Sequence, residues 1–166
     1  AYRGLLLTWH WFDGIQTKKK EDVSRHLQGV SSIDRAKSTS CINDARAQCR
    51  PDDPLNVCLQ LNLGGETQKS GISADDVRDL LLHTRQLPHR RVRGFMIVPK
   101  VHSDSSREQE GFRHAAALFR KYRGIGGDNW DTLSMGMSND FDTAVVEGAT
   151  IVRLGTVLFG PRGSLR

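Results

Sequence analysis

The chain has 166 residues, a net charge of +5 and 26% charged residues, which suits one ordinary domain and excludes both two large domains and a wholly disordered chain. No apolar run approaches the roughly 18 residues of a membrane span, and Ala1 to Leu7 is too short for the apolar core of a signal peptide. Lys18-Lys19-Lys20 and Arg90-Arg91-Val92-Arg93 are short basic runs with no stacking aromatics after them, so they read as solvated faces and not as a nucleic-acid surface.

Leu6 to Phe12 reads as a strand, Glu21 to Gly29 as a short helix, and Val30 to Ile33 as a brief strand ending at Asp34. Ala36 to Cys49 has a helical pattern that Arg50-Pro51-Asp52-Asp53-Pro54 stops. Leu55 to Leu63 alternates apolar and polar residues, a strand closed by Gly64-Gly65. Ser73 and Asp76 have capping-box spacing ahead of a helix that runs to about Leu87, with Pro88 beyond. Val92 to Val98 is a strand closed by Pro99. Ser106 to Arg123 is a long helix with Phe112, Ala115, Ala116, Phe119 and Tyr122 on one stripe. Gly124-Ile125-Gly126-Gly127 reads as a linker to the strand Trp130 to Met135. Asn139 to Glu147 is a short helix stopped by Gly148, and Thr150 to Leu154 is the last strand.

Strict alternation of strand and helix means parallel strands with helical crossovers. Two architectures satisfy it, an open doubly wound sheet or a (β/α) barrel. A dinucleotide-binding sheet should carry Gly-x-Gly-x-x-Gly after its first strand, and the Gly124 to Gly127 cluster follows a helix instead. In a barrel the working residues lie at the C-terminal ends of strands, and a phosphate site commonly forms after the last two. Those two strands end in Ser138 and in Gly155-Thr156. Two hydroxyls and a glycine that admits an anion to the backbone suit a phosphate cradle, although Gly and Ser at loop starts also serve turns. Arg153 lies inside an apolar strand, where its charge needs a protein or ligand partner. Cys41, Cys49 and Cys58 form no Cys-x-x-Cys pair and read as reduced thiols, and the six histidines show no metal-ligand spacing. His10, between two tryptophans, reads as a packed or hydrogen-bonded residue.

Several segments together resemble the pyridoxal-phosphate homeostasis proteins, which share the barrel domain of the alanine racemases. Trp9-His10-Trp11-Phe12 with Gln16 and Lys19 is similar to that family's Trp-His-Phe-Ile-Gly-x-x-Gln-x-Asn-Lys. Ser32-Ile33-Asp34, the strand Asn56 to Asn62 with Lys69-Ser70-Gly71 after it, and Arg93-Gly94-Phe95-Met96 are similar to later family segments. Leu133 to Asp140 resembles Leu-Ser-Met-Gly-Met-Ser-x-Asp, and Val152 to Gly160 resembles Val-Arg-Ile-Gly-Thr-x-Ile-Phe-Gly. The resemblance implies an α/β fold of the (β/α)8 TIM-barrel type. It is incomplete here, with about six of eight units (strands 3 to 8) in a single partial barrel domain over residues 1–166. It also implies a pyridoxal 5'-phosphate site, with Ser138, Gly155 and Thr156 holding the phosphate, Met137 beside them and Arg153 facing the pyridine nitrogen. An arginine there keeps that nitrogen unprotonated and the ring a weaker electron sink, which suits a non-catalytic carrier or regulator of vitamin B6 better than an enzyme.

The chain departs from the family in Asp13, where the family has Gly, and in Lys18, where it has Asn. None of Lys18, Lys19, Lys20, Lys37, Lys69, Lys100 and Lys121 aligns with the family's Schiff-base lysine, which lies in two β/α units expected upstream of Ala1. The alternative is a short divergent paralogue that binds phosphate compounds non-covalently or acts only through a protein partner. Racemisation needs a second base, usually a tyrosine, and Tyr2 and Tyr122 offer no such group. The expected setting is cytoplasmic or mitochondrial. Leu6 to Trp11 and Ile151 to Leu154 are expected to be the open edges of the sheet, through which the chain self-associates.

Overall fold

Alternation along one strand sets the layers. Leu55, Val57, Leu59 and Leu61 are all buried, while Asn56, Cys58 and Gln60 face the other way. In the computed structural model, which describes residues 6–16, 19–64, 70–99 and 105–161, this is the third of six parallel strands. They are β1 (His10–Trp11), β2 (Gly29–Ile33), β3 (Leu55–Leu61), β4 (Arg90–Ile97), β5 (Thr132–Met137) and β6 (Ile151–Arg153). Each strand pairs with the next in sequence, so the order is β1-β2-β3-β4-β5-β6 and the edges are β1 and β6. A doubly wound sheet would reverse its order at a switch point. This one never does, and it curls far enough that Phe12 after β1 and Arg153 of β6 border one cleft. The architecture is an incomplete (β/α) barrel.

The crossovers are α1 (Lys20–His26), α2 (Ala36–Cys49), α3 (Val77–Arg85), α4 (Ser105–Lys121), α5 (Arg123–Gly126) and α6 (Phe141–Val146), and α7 (Thr156–Phe159) follows β6. The core lies between sheet and helices. It joins the inward residues of β3, Phe95 and Ile97 of β4, and Leu133 and Met135 of β5 to Leu81 of α3 and Phe112 and Ala115 of α4. The stripe expected on α4 is buried, with Phe119 half-exposed. Trp130 stacks on Phe119 at 5.3 Å and meets Phe95 edge-on at 4.7 Å. Among the described residues no helix is long and apolar enough to cross a membrane.

Three expectations are corrected. The first strand is two residues long, not Leu6 to Phe12, because an edge strand finds partners on one side only. Its register is His10 to Gly29 and Trp11 to Val30. The Gly124 to Gly127 linker contains the helix α5, and Gly126 is glycine because a Cβ there would strike the Trp130 ring. The helix after Ser73 starts later, at Val77. The Ser73 hydroxyl donates to the Asp76 carboxylate at 2.6 Å and accepts from the Asp76 N–H at 3.3 Å, so the capping pair closes the preceding turn.

Candidate functional site

The last two strands deliver the site. β5 ends at Met137, and the following turn is closed by Asp140, whose carboxylate accepts the Met137 N–H at 2.5 Å. That turn presents Ser138. The Ser138 hydroxyl oxygen accepts the backbone N–H groups of Gly155 at 3.2 Å and Val157 at 3.3 Å, so it ties the end of β5 to the turn after β6. Gly155 has φ −112°, which any residue adopts. A Cβ on it would meet nothing within 4 Å. The glycine therefore leaves open space rather than relieving strain.

Arg153 reaches back across the sheet. Its Nη1 donates to the Ser134 carbonyl at 3.1 Å and hydroxyl at 2.8 Å, and Nη2 donates to the Ile97 carbonyl on β4 at 2.8 Å. The side chain is half-buried, and burial lowers its pKa against the opposing pull of Asp140. The guanidinium stays charged at neutral pH.

Met137, Ser138, Arg153, Gly155 and Thr156 line one cleft of about 590 Å³, so all five residues singled out in the sequence converge. The cleft also takes Phe12, Glu108, Asn139, Asp140 and Leu154. Phe12 stands in the Trp9 to Phe12 segment that carries the resemblance, but its place in the cleft was not legible, since it lies some 140 residues from Arg153 and only the curl of the sheet brings them together. Ser134 and the Ile97 carbonyl were equally invisible as partners of Arg153. Among the described residues no lysine lines the cleft; Lys18, Lys69 and Lys100 lie outside them. His10 packs its ring over Gly29, and burial together with the nearby charge of Arg93 lowers its pKa. Cys41 and Cys49 are half-buried free thiols, and Cys58 is buried.

The arrangement offers hydroxyls and an open backbone stretch for an anion, with a fixed cation beside them. Residues 4–163 match the family model of the alanine racemase N-terminal domain. The chain is 40% identical over 159 residues, 95% of its length, to the pyridoxal phosphate homeostasis protein of Pseudomonas aeruginosa, covering 66% of that protein. To the protein of that name from Haemophilus influenzae it is 35% identical over 161 residues, 96% of this chain and 67% of the relative. It thus spans about two thirds of the length of these relatives. The structure of PipY from Synechococcus elongatus PCC7942, solved without PLP, superposes with a TM-score of 0.84 at 29% identity. That match covers 93% of this chain and 71% of PipY. The same protein with PLP bound gives 0.83 at 28% identity. The chain belongs to the alanine racemase N-terminal domain family and, within it, to the pyridoxal phosphate homeostasis proteins.

Proposed function

We propose that this chain, as one partial barrel domain, binds pyridoxal 5'-phosphate in the cleft at the ends of β5 and β6. Its role is vitamin B6 homeostasis, as a non-catalytic carrier or regulator. The names of its relatives and the PLP-bound PipY support the ligand. The observation that carries the reading is the convergence of Ser138, Gly155, Thr156 and Arg153 on one cleft.

The residues fit the group. Both lone pairs of the Ser138 hydroxyl are engaged by Gly155 and Val157, so its proton is directed to an outside acceptor such as a phosphate oxygen. The open face of Gly155 lets that oxygen approach the backbone. Thr156 lines the same wall. Arg153 spends three of a guanidinium's five N–H donors on Ser134 and Ile97. The remaining donors are left for an acceptor in the cleft, such as an unprotonated pyridine nitrogen. Bound, the cofactor provides an aldehyde that reacts with amines and a ring that withdraws electrons, and the ring withdraws less when its nitrogen carries no proton. That favours carriage over catalysis. Tyr122, buried against Phe95, stands in the core and does not line the cleft, which argues against racemisation. Among the described residues Arg153 is the cation that lines the cleft. The bacterial origin of the relatives fits action in the cytoplasm.

Calorimetric titration tests this. Pyridoxal phosphate should bind, and Ser138→Ala and Thr156→Val should each weaken it about fivefold or more. Wild-type affinity in both variants would reject the phosphate site, and racemisation of alanine would reject the carrier role.

A further inference from the structure

The turn after β1 carries an aromatic side chain that the core does not use. Phe12 is 65% exposed, yet it lines the cleft with Met137, Ser138 and Arg153. It arrives from the opposite edge of the sheet, since β1 and β6 end the strand order. A phenyl ring on a slack loop would have no fixed place, but this turn is pinned. The Asp13 carbonyl accepts the Trp11 indole N–H at 2.7 Å and the Ser32 hydroxyl of β2 at 2.5 Å. The Asp13 carboxylate takes the Gly14 N–H at 2.7 Å. Trp11 is itself capped by the Lys19 ammonium, 5.3 Å from its ring centroid. The backbone beside Phe12 is thus fastened to β1 and β2 while the ring projects into the cleft.

Leaving a phenyl ring in water is unfavourable. Ligand sites are typically concave, with apolar walls around a few placed polar groups. Here the polar groups stand on the β5–β6 side and the apolar ring faces them from the β1 side. Anchoring through Ser138, Gly155 and Thr156 alone would accept any phosphate. An aromatic wall distinguishes among phosphates by what they are attached to, because ring against ring is favourable beyond the area it buries.

We propose that Phe12 is the ring-facing wall of this site, so that the cleft selects a phosphate ester carried on a planar heteroaromatic ring over inorganic phosphate or an aliphatic phosphate. The inference rests on the phosphate reading of Ser138, Gly155 and Thr156. It is tested by titrating the 166-residue chain with pyridoxine 5'-phosphate, which has no aldehyde to react with surface lysines, and with glycerol 3-phosphate and inorganic phosphate. Wild type should prefer pyridoxine phosphate. Phe12→Ala should weaken that ligand roughly three- to tenfold and leave the other two within about twofold, with an unchanged melting temperature. Phe12→Tyr should restore the preference, and Ser138→Ala should weaken all three ligands. If Phe12→Ala weakens none of them, or all alike, while Ser138→Ala still acts, the role of Phe12 is overturned and the phosphate site stands. If wild type binds none of the three, the phosphate site falls and the role of Phe12 with it.

Discussion

Single residues carry tasks of different kinds in this chain. Arg46 is a structural rivet, fully buried and donating to the carbonyls of Ser24, Leu27 and Asp53 and to the Asp53 carboxylate at 2.9 Å. It fastens α1 to α2 and to the turn that ends α2. Removing it leaves buried carbonyls without donors, so Arg46→Ala should cost about 3 kcal/mol in urea unfolding. Arg46→Lys should recover little, because an ammonium lacks the fork. Gly155 separates ligand space from folding. Its φ suits alanine and the position is open. Gly155→Ala should therefore melt as wild type does and still bind pyridoxal phosphate about tenfold more weakly. Cys58 reports on the interior, where burial pushes its thiol pKa up to about 12. The folded state then holds this proton more tightly than the unfolded chain. Its contribution to stability is complete below about pH 9 and is withdrawn as pH rises from there toward 12. In urea titrations over that range, wild type should lose stability more steeply than Cys58→Ala, and equal slopes would contradict the burial argument.

At the scale of elements, what could be read in the sequence depended on how local the deciding interaction was. α2 runs from Ala36 to Cys49 as expected, since Pro51 lies just beyond and Arg50 closes it with its N–H on the Arg46 carbonyl. β3 was legible from its alternation. The short helices α5 and α7 were not, because Gly126 looks like a breaker until the Trp130 ring is seen lying against it. The site divides in the same way. Ser138, Gly155 and Thr156 belong to compact motifs and were legible, whereas the Arg153 contact to Ile97 spans 56 residues and exists only once β4, β5 and β6 are side by side. Gly94 shows how one residue sets the pairing of two elements. It has φ +149°, and a Cβ there would collide with the Thr132 carbonyl where β4 meets β5. Gly94→Ala should cost ~3 kcal/mol, measured as a fall in thermal midpoint far larger than that of Gly155→Ala.

For the molecule as a whole, β1 and β6 are the edges of the sheet among the described residues, where further strands can pair. On the helices flanking β6, Val146 of α6 and Phe159 of α7 are 78% and 84% exposed. We expect the chain to elute from size exclusion as more than a monomer, and Val146→Lys with Phe159→Lys to shift it toward a monomer. A sharp monomer peak for wild type with a cooperative melt would sink this. The sequential strand order also bears on how the sheet assembles and opens. Every strand pairs with its predecessor in the chain, so each pairing spans one helical crossover. The two edge pairings are the thinnest, β1 on β2 at His10–Gly29 and Trp11–Val30 and β6 on β5 at Ser134–Ile151 and Met137–Arg153. Opening of the native state should start at these edges. The ligand cleft borders both, through Phe12 and Arg153, so binding should act as a latch, slowing amide exchange at His10–Trp11 and Ile151–Arg153 while leaving exchange across β3 and β4 unchanged.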